Sequence, residues 1–137
     1  MLIRDCMTPT PLLTVTLKES LQGAMELMAM KRIRHLPVLD DDGALIGLVS
    51  DRDVRRAAPS PLFGGDGSAE QSLLDSTPVE RIMTRSPATV GPEQRLQDAI
   101  SLMVDKKYGA LPVVAGGGVV DILTTIDVMK AFLRLRP

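Results

Sequence analysis

Aromatic side chains are almost missing from this chain. They make up 2% of its 137 residues: no tryptophan, one tyrosine and two phenylalanines. With 45% hydrophobic residues and eight methionines, any core has to be aliphatic and Met-rich. Cys6 is the single cysteine, which excludes an internal disulfide and suits a reducing, intracellular setting. Basic and acidic residues nearly balance, 16 against 17, for a net charge of −1, which argues against a basic nucleic-acid surface. No apolar run approaches the ~20 residues needed to cross a bilayer. Arg4 and Asp5 interrupt any signal-peptide pattern at the start. The expectation is a cytoplasmic protein that meets neither membrane nor nucleic acid.

What the chain does contain is a repetition. The run RIRHLPVLDDDGALIGLVSDRDV at 32–54 returns, diverged, as KYGALPVVAGGGVVDILTTIDV at 107–128. An apolar helix-like run precedes each copy, and a Met-Thr pair precedes that: Met7-Thr8 and Met83-Thr84. Two similar halves facing one another make symmetric clefts.

The first half reads as a short strand at 13–15, then a helix over 19–32 with Leu21, Ala24, Met25 and Met28 at helical spacing. A strand at 35–39, an Asp-Gly turn at 40–43 and a strand at 44–50 make a hairpin, after which Ser50 opens a short helix. Residues 58–77, rich in Pro, Gly, Ser and Asp, read as a linker, with Pro59, Pro61, Gly64 and Gly65 in it. Thr77-Pro78 with Glu80 reads as a helix start. The second half repeats the order: a strand at 88–90, a helix over 92–107, a hairpin at 111–123 turning on Gly116-Gly117-Gly118, and a helix over 124–135. The fold class is therefore α+β, two β-α-β-β-α repeats packed with pseudo-twofold symmetry, since one such unit is too small to cover its sheet alone. The expected division is repeat 1 at 1–57, linker at 58–77 and repeat 2 at 78–137.

Ser50-x-x-Asp53 and Thr124-x-x-Asp127 occupy equivalent places, each just after a strand. One reading is helix capping, because a hydroxyl residue followed by an acid three later forms a capping box. The other is ligand chemistry. A carboxylate has two oxygens and can accept from both hydroxyls of a ribose, while a helix start favours phosphate. The two readings are compatible.

This ordered set resembles the cystathionine-beta-synthase (CBS) domain, which occurs as tandem pairs called Bateman modules. The first half carries Met7-Thr8, Leu36-Pro37-Val38, Gly47-Leu48-Val49-Ser50 and Asp53; the second carries Met83-Thr84, Leu111-Pro112-Val113, Thr124 and Asp127. Asp121 departs from the pattern, standing where the first half has Gly47. The resemblance implies a regulator without catalytic residues, metal or required cofactor. It would bind AMP, ADP, ATP or S-adenosylmethionine in clefts between the halves, form a homodimer and act on a regulated partner protein. Carried over residue by residue, one cleft joins Thr8, Leu13, Ile33, Arg34 and His35 to Thr124 and Asp127. The other joins Thr84, Ala88, Tyr108, Gly109 and Ala110 to Ser50 and Asp53. Leu13, Ile33, Ala88 and Tyr108 would wall an adenine ring; Arg34, His35 and Arg52 are candidate phosphate contacts. A ligand-free dimer scaffolding a partner is the alternative.

Other signals are weaker. Met25, Met28 and Met103 suit core packing better than a soft-metal site. Asp40-Asp41-Asp42-Gly43 lacks the alternating acids of a calcium loop. The three glycines precede a strand and so do not open a dinucleotide-binding helix. Lys130, Arg134 and Arg136 suit a helix C-terminus.

Overall fold

The structure, a computed structural model, describes residues 1–7, 11–58 and 67–135. Thr8, residues 59–66 of the expected linker and Arg136 lie outside the described residues. The chain divides into two compact units. The first unit is Leu13–Ser86; the second is Met1–Leu12 together with Pro87–Pro137.

In the first unit, β1 (Val15–Thr16) runs parallel to β2 (His35–Leu39). β3 (Leu45–Ser50) returns antiparallel, and β4 (Thr84–Arg85) completes the sheet in the order β1-β2-β3-β4. Helix α1 (Leu21–Lys31) buries Leu21, Ala24 and Met28, spaced i, i+3, i+7 as one helical face requires. Ser50 caps α2 (Asp51–Ala57), whose Val54 is fully buried. These side chains share one core with Leu36, Val38 and Val49. Each large aliphatic side chain buried there contributes ~1.5–3 kcal/mol.

In the second unit, β5 (Ala110–Ala115) pairs antiparallel with β6 (Gly118–Thr124). Helix α4 (Leu96–Lys106) buries Leu96, Ala99 and Met103, the spacing of α1 over again. Helix α5 (Thr125–Arg134) closes the unit. The hairpins match in detail: register slips between Val38 and Leu39 in one and between Val113 and Val114 in the other, at equivalent positions. Both long helices also end alike. Arg32 (φ 54°) and Lys107 (φ 59°) adopt the left-handed conformation. The next residue then donates back into the helix, Ile33 N–H to Met28 O and Tyr108 N–H to Met103 O, both at 3.0 Å.

Several expectations need correction. Residues 68–76 of the expected linker are helix α3 (Ser68–Ser76); Leu74 enters the first core, and Gln71 Nε2 donates to Gln22 Oε1 at 3.2 Å. The helix expected at Thr77-Pro78 is one 3-10 turn, Val79–Arg81. The strand expected at 88–90 reduces to a single parallel bridge, Val90 to Val113. Proline at 92 and polar residues through 95 delay the second long helix to Leu96.

The segments preceding each repeat lie apart from their sequence neighbours. Ile3 and Cys6 are buried with Leu96, Ala99 and Leu111, and Ile3 N–H donates to Gln94 O at 2.9 Å. Val79 and Met83 are buried in the first core, and Val79 N–H donates to Glu19 O at 2.8 Å. Burial pushes the Cys6 thiol above its ordinary pKa, which favours the protonated form.

Candidate functional site

In the first unit the hairpin sets His35 directly across from Ser50. The chain then turns into α2, and the Asp51 N–H donates to Arg34 O at 3.0 Å. The turn is locked by a reciprocal box. Ser50 N–H donates to Asp53 Oδ2 at 2.9 Å, and Asp53 N–H donates to Ser50 Oγ at 3.1 Å. Arg34 and His35 thus lie beside the start of α2, with Arg52 exposed on its first turn.

The second unit repeats this construction with other side chains. Ala110 lies across from Thr124, and the Thr125 N–H donates to Gly109 O at 3.2 Å. Thr124 N–H donates to Asp127 Oδ2 at 2.8 Å, Thr124 Oγ1 donates to the same oxygen at 3.0 Å, and Asp127 N–H donates to Thr124 Oγ1 at 3.3 Å. In both boxes the cap is taken by Oδ2, and Oδ1 has no part in it. The capping reading is therefore correct in both units, and a carboxylate fixed this way keeps acceptor capacity for a ligand.

Burial is the main cause that lowers the His35 pKa from its ordinary value; Asp51 and Asp53 oppose it, and Arg34 adds to it. Asp51 also pairs with Arg55 at 3.3 Å. The signal for it is the i, i+4 acid–base spacing, which is legible in the sequence.

The remaining expected residues fall as follows. Leu13 and Ile33 are partly buried against the first core. Thr84 is exposed on β4 and pairs with Leu48, on the side of β3 away from β2. Ala88 is partly buried against the second core. Tyr108, 39% exposed, lines an apolar depression of about 270 Å³ with Met103, Thr125 and Met129. A wider hollow of about 450 Å³ lies in the first unit along Thr14, Thr16, Glu19 and Asp40, away from the α2 edge. Among the described residues no group of three or more His, Cys, Asp or Glu could hold a metal ion. None of the described helices is long and apolar enough to cross a membrane.

The doubled strand-to-cap edge matches a known pattern: the CBS domain profile fits residues 3–60 and again 79–134. The chain belongs to the CBS domain family. It is a tandem CBS pair of mixed helix and strand. The chloroplastic CBS domain-containing protein CBSX2 of Arabidopsis thaliana is 34% identical over 153 residues. The match covers 98% of this chain and 64% of that protein, so the chain spans just under two thirds of that relative's length. A crystal structure of CBSX2 in complex with AMP superposes with a TM-score of 0.78 at 34% identity, covering 99% of this chain and 98% of the other. The CBS domain pair of protein MJ0100, in complex with 5′-methylthioadenosine and S-adenosyl-L-methionine, superposes with a TM-score of 0.78 at 25% identity. That likeness covers 96% of this chain and 99% of the other.

Proposed function

We propose that this CBS pair is a regulatory, non-catalytic module that binds an adenosine-containing ligand: AMP, ADP, ATP or S-adenosylmethionine. The observation that carries the reading is the duplicated box. Asp53 and Asp127 are each half-buried, and each carboxylate is oriented by the backbone N–H of the capping Ser50 or Thr124, so a carboxylate is held ready at equivalent points of both units. Each can accept from a ribose diol at little cost in side-chain entropy, because the cap has already fixed its rotamer. Leu13, Ile33, Ala88 and Tyr108 supply apolar surface for adenine; Arg34, His35 and Arg52 supply phosphate contacts; Thr8, Thr84, Gly109 and Ala110 complete the set. The AMP complex of CBSX2 supports the ligand class. A bound ligand then acts by its differential affinity for two states of the module, one of which a partner protein reads.

The test is calorimetric titration of AMP, ATP and S-adenosylmethionine into the full chain, repeated with Asp53→Ala and Asp127→Ala. Saturable heat from at least one ligand, weakened about tenfold in a variant, is the expected result; a pair of hydrogen bonds to a charged acceptor accounts for that size. Absence of heat from all three at millimolar concentration rejects the reading.

One observation favours the second reading, a dimer that scaffolds a partner. Helix α5 leaves Ile126, Met129 and Leu133 exposed at i, i+3, i+7, beside Phe132 at 75% exposure. An apolar stripe of this kind on a small protein supports contact with another copy or a partner.

A further inference from the structure

We propose that the apolar face formed by α4 and α5 seats the same face of a second copy, second unit against second unit, with each copy's Phe132 entering the other's depression. The inference rests on the dimer reading above and adds which faces meet and why the first unit cannot stand in for the second.

Exposure is lopsided. Of the eleven large apolar side chains left exposed among the described residues, five are Val104 on α4 and Ile126, Met129, Phe132 and Leu133 on α5. At roughly 100 Å² each they offer much of the ~800 Å² per partner that a stable interface buries. The face also carries its own complement. Phe132 stands out at 75% exposure, and one turn before it Met129 lines the depression of about 270 Å³ with Ile100, Met103 and Val104. A knob and a hollow on one face fit each other across a twofold axis, where residue i of one copy meets j of the other and j meets i. The flanks agree. Asp105 follows Val104 on α4 and Lys130 follows Met129 on α5; both are exposed, and among the described residues neither makes an ion pair. A twofold that lays α4 over α5 brings one copy's acid toward the other's base.

The first unit offers no such face. Asp53 and Asp127 occupy the same place in their caps, so Arg52 corresponds to Ile126, Arg55 to Met129 and Ala58 to Phe132. Where α5 is apolar, α2 carries two guanidiniums and no knob. Covering Arg52 and Arg55 with Ile126 and Met129 of another copy would take charges out of water, and the nearby Asp51 is already engaged by Arg55 at 3.3 Å. Like therefore meets like: the apolar helix pairs with its own copy.

Opposite charges placed at Met129, which lines the depression near the proposed axis, test the pairing in the full chain. Met129→Glu and Met129→Lys are each followed by sedimentation velocity, alone and mixed, with circular dichroism to confirm the fold. The wild type should sediment as a dimer. Each variant alone should associate at least about tenfold more weakly, because like charges then face one another, and an equal mixture should recover a dimer of one chain of each kind. If α5 instead meets α2 of the other copy, Met129→Glu should keep or strengthen the dimer through Arg52 and Arg55 while Met129→Lys loses it. That pattern overturns the pairing and leaves the dimer standing. Two variants that both stay dimeric, or a mixture that stays monomeric, likewise overturn the pairing. A wild-type monomer at high micromolar concentration removes the dimer reading as well.

Discussion

Met83 packs directly onto Gly47. A Cβ built on Gly47 would lie 2.9 Å from Met83 Cγ and nearer still to its sulfur. Both residues are buried, and Gly47 pairs with Arg85 in the strand that Met83 leads into. The glycine is present for close approach, since its backbone needs no positive φ. In the second unit Asp121 occupies the corresponding register, across from Val113 as Gly47 is across from Val38. There the residue is half-buried, and its Oδ1 accepts from Ile122 N–H at 2.8 Å.

Gly47→Ala should therefore destabilise the fold by ~1–3 kcal/mol, the cost of overpacking a filled core. Met83→Ala in the same chain should relieve part of that cost. Urea unfolding of both single variants and the double variant measures the coupling; additive effects would show that Met83 does not fill the space above Gly47.

The left-handed helix ends give the opposite sign. Arg32 and Lys107 hold φ near +54° and +59°, a conformation that costs a side chain ~1–2 kcal/mol. Glycine is the common residue at such a helix end. Lys107→Gly should stabilise by up to ~1 kcal/mol after its own entropy loss, read as a higher Tm.

His35 is the chain's one histidine, and burial lowers its pKa below 6.5 in the folded state. The unfolded chain then binds more protons between the folded value and 6.5. Stability from this group is complete above that window and is lost as pH falls through it. Urea unfolding at about pH 5.5 and about pH 7.5 should show lower stability on the acid side, where histidine titrates. His35→Gln should flatten the difference; an unchanged slope would refute the assignment.

The exposed stripe on α5 tests the dimer. Phe132→Glu with Met129→Glu should leave helix content intact, because both side chains are mostly solvent-facing. If this stripe is the contact, light scattering should show the wild type at twice the monomer mass and the variant at the monomer mass. A wild-type monomer at high micromolar concentration would rule the stripe out as a self-contact.

Much of this architecture can be read locally. Leu21, Ala24 and Met28 announce one helical face, and Leu96, Ala99 and Met103 announce its copy. Asp40 and Gly43 mark the first hairpin turn, with the Asp40 carboxylate accepting from Asp42 N–H and Ala44 N–H at 2.9 Å. Both caps were legible for the same reason: each is closed within four consecutive residues. Helix α3 was not, because its one buried residue, Leu74, gives no periodicity in a stretch of polar and small residues. The short strand β4 leaves no such mark, because two residues carry no alternation.

The sequence by itself determined the duplication, the helical faces, the hairpins and the paired Ser/Thr-x-x-Asp caps, since each depends on residues a few positions apart. Only the tertiary structure decided that residues 1–12 complete the unit containing 87–137, and that residues up to 86 remain with the first. Ile3 and Val79 are both completely buried, yet nothing in their neighbouring residues names the core that receives them. Burial is a property of space around a side chain, and the surfaces that fill that space arrive from distant parts of the chain.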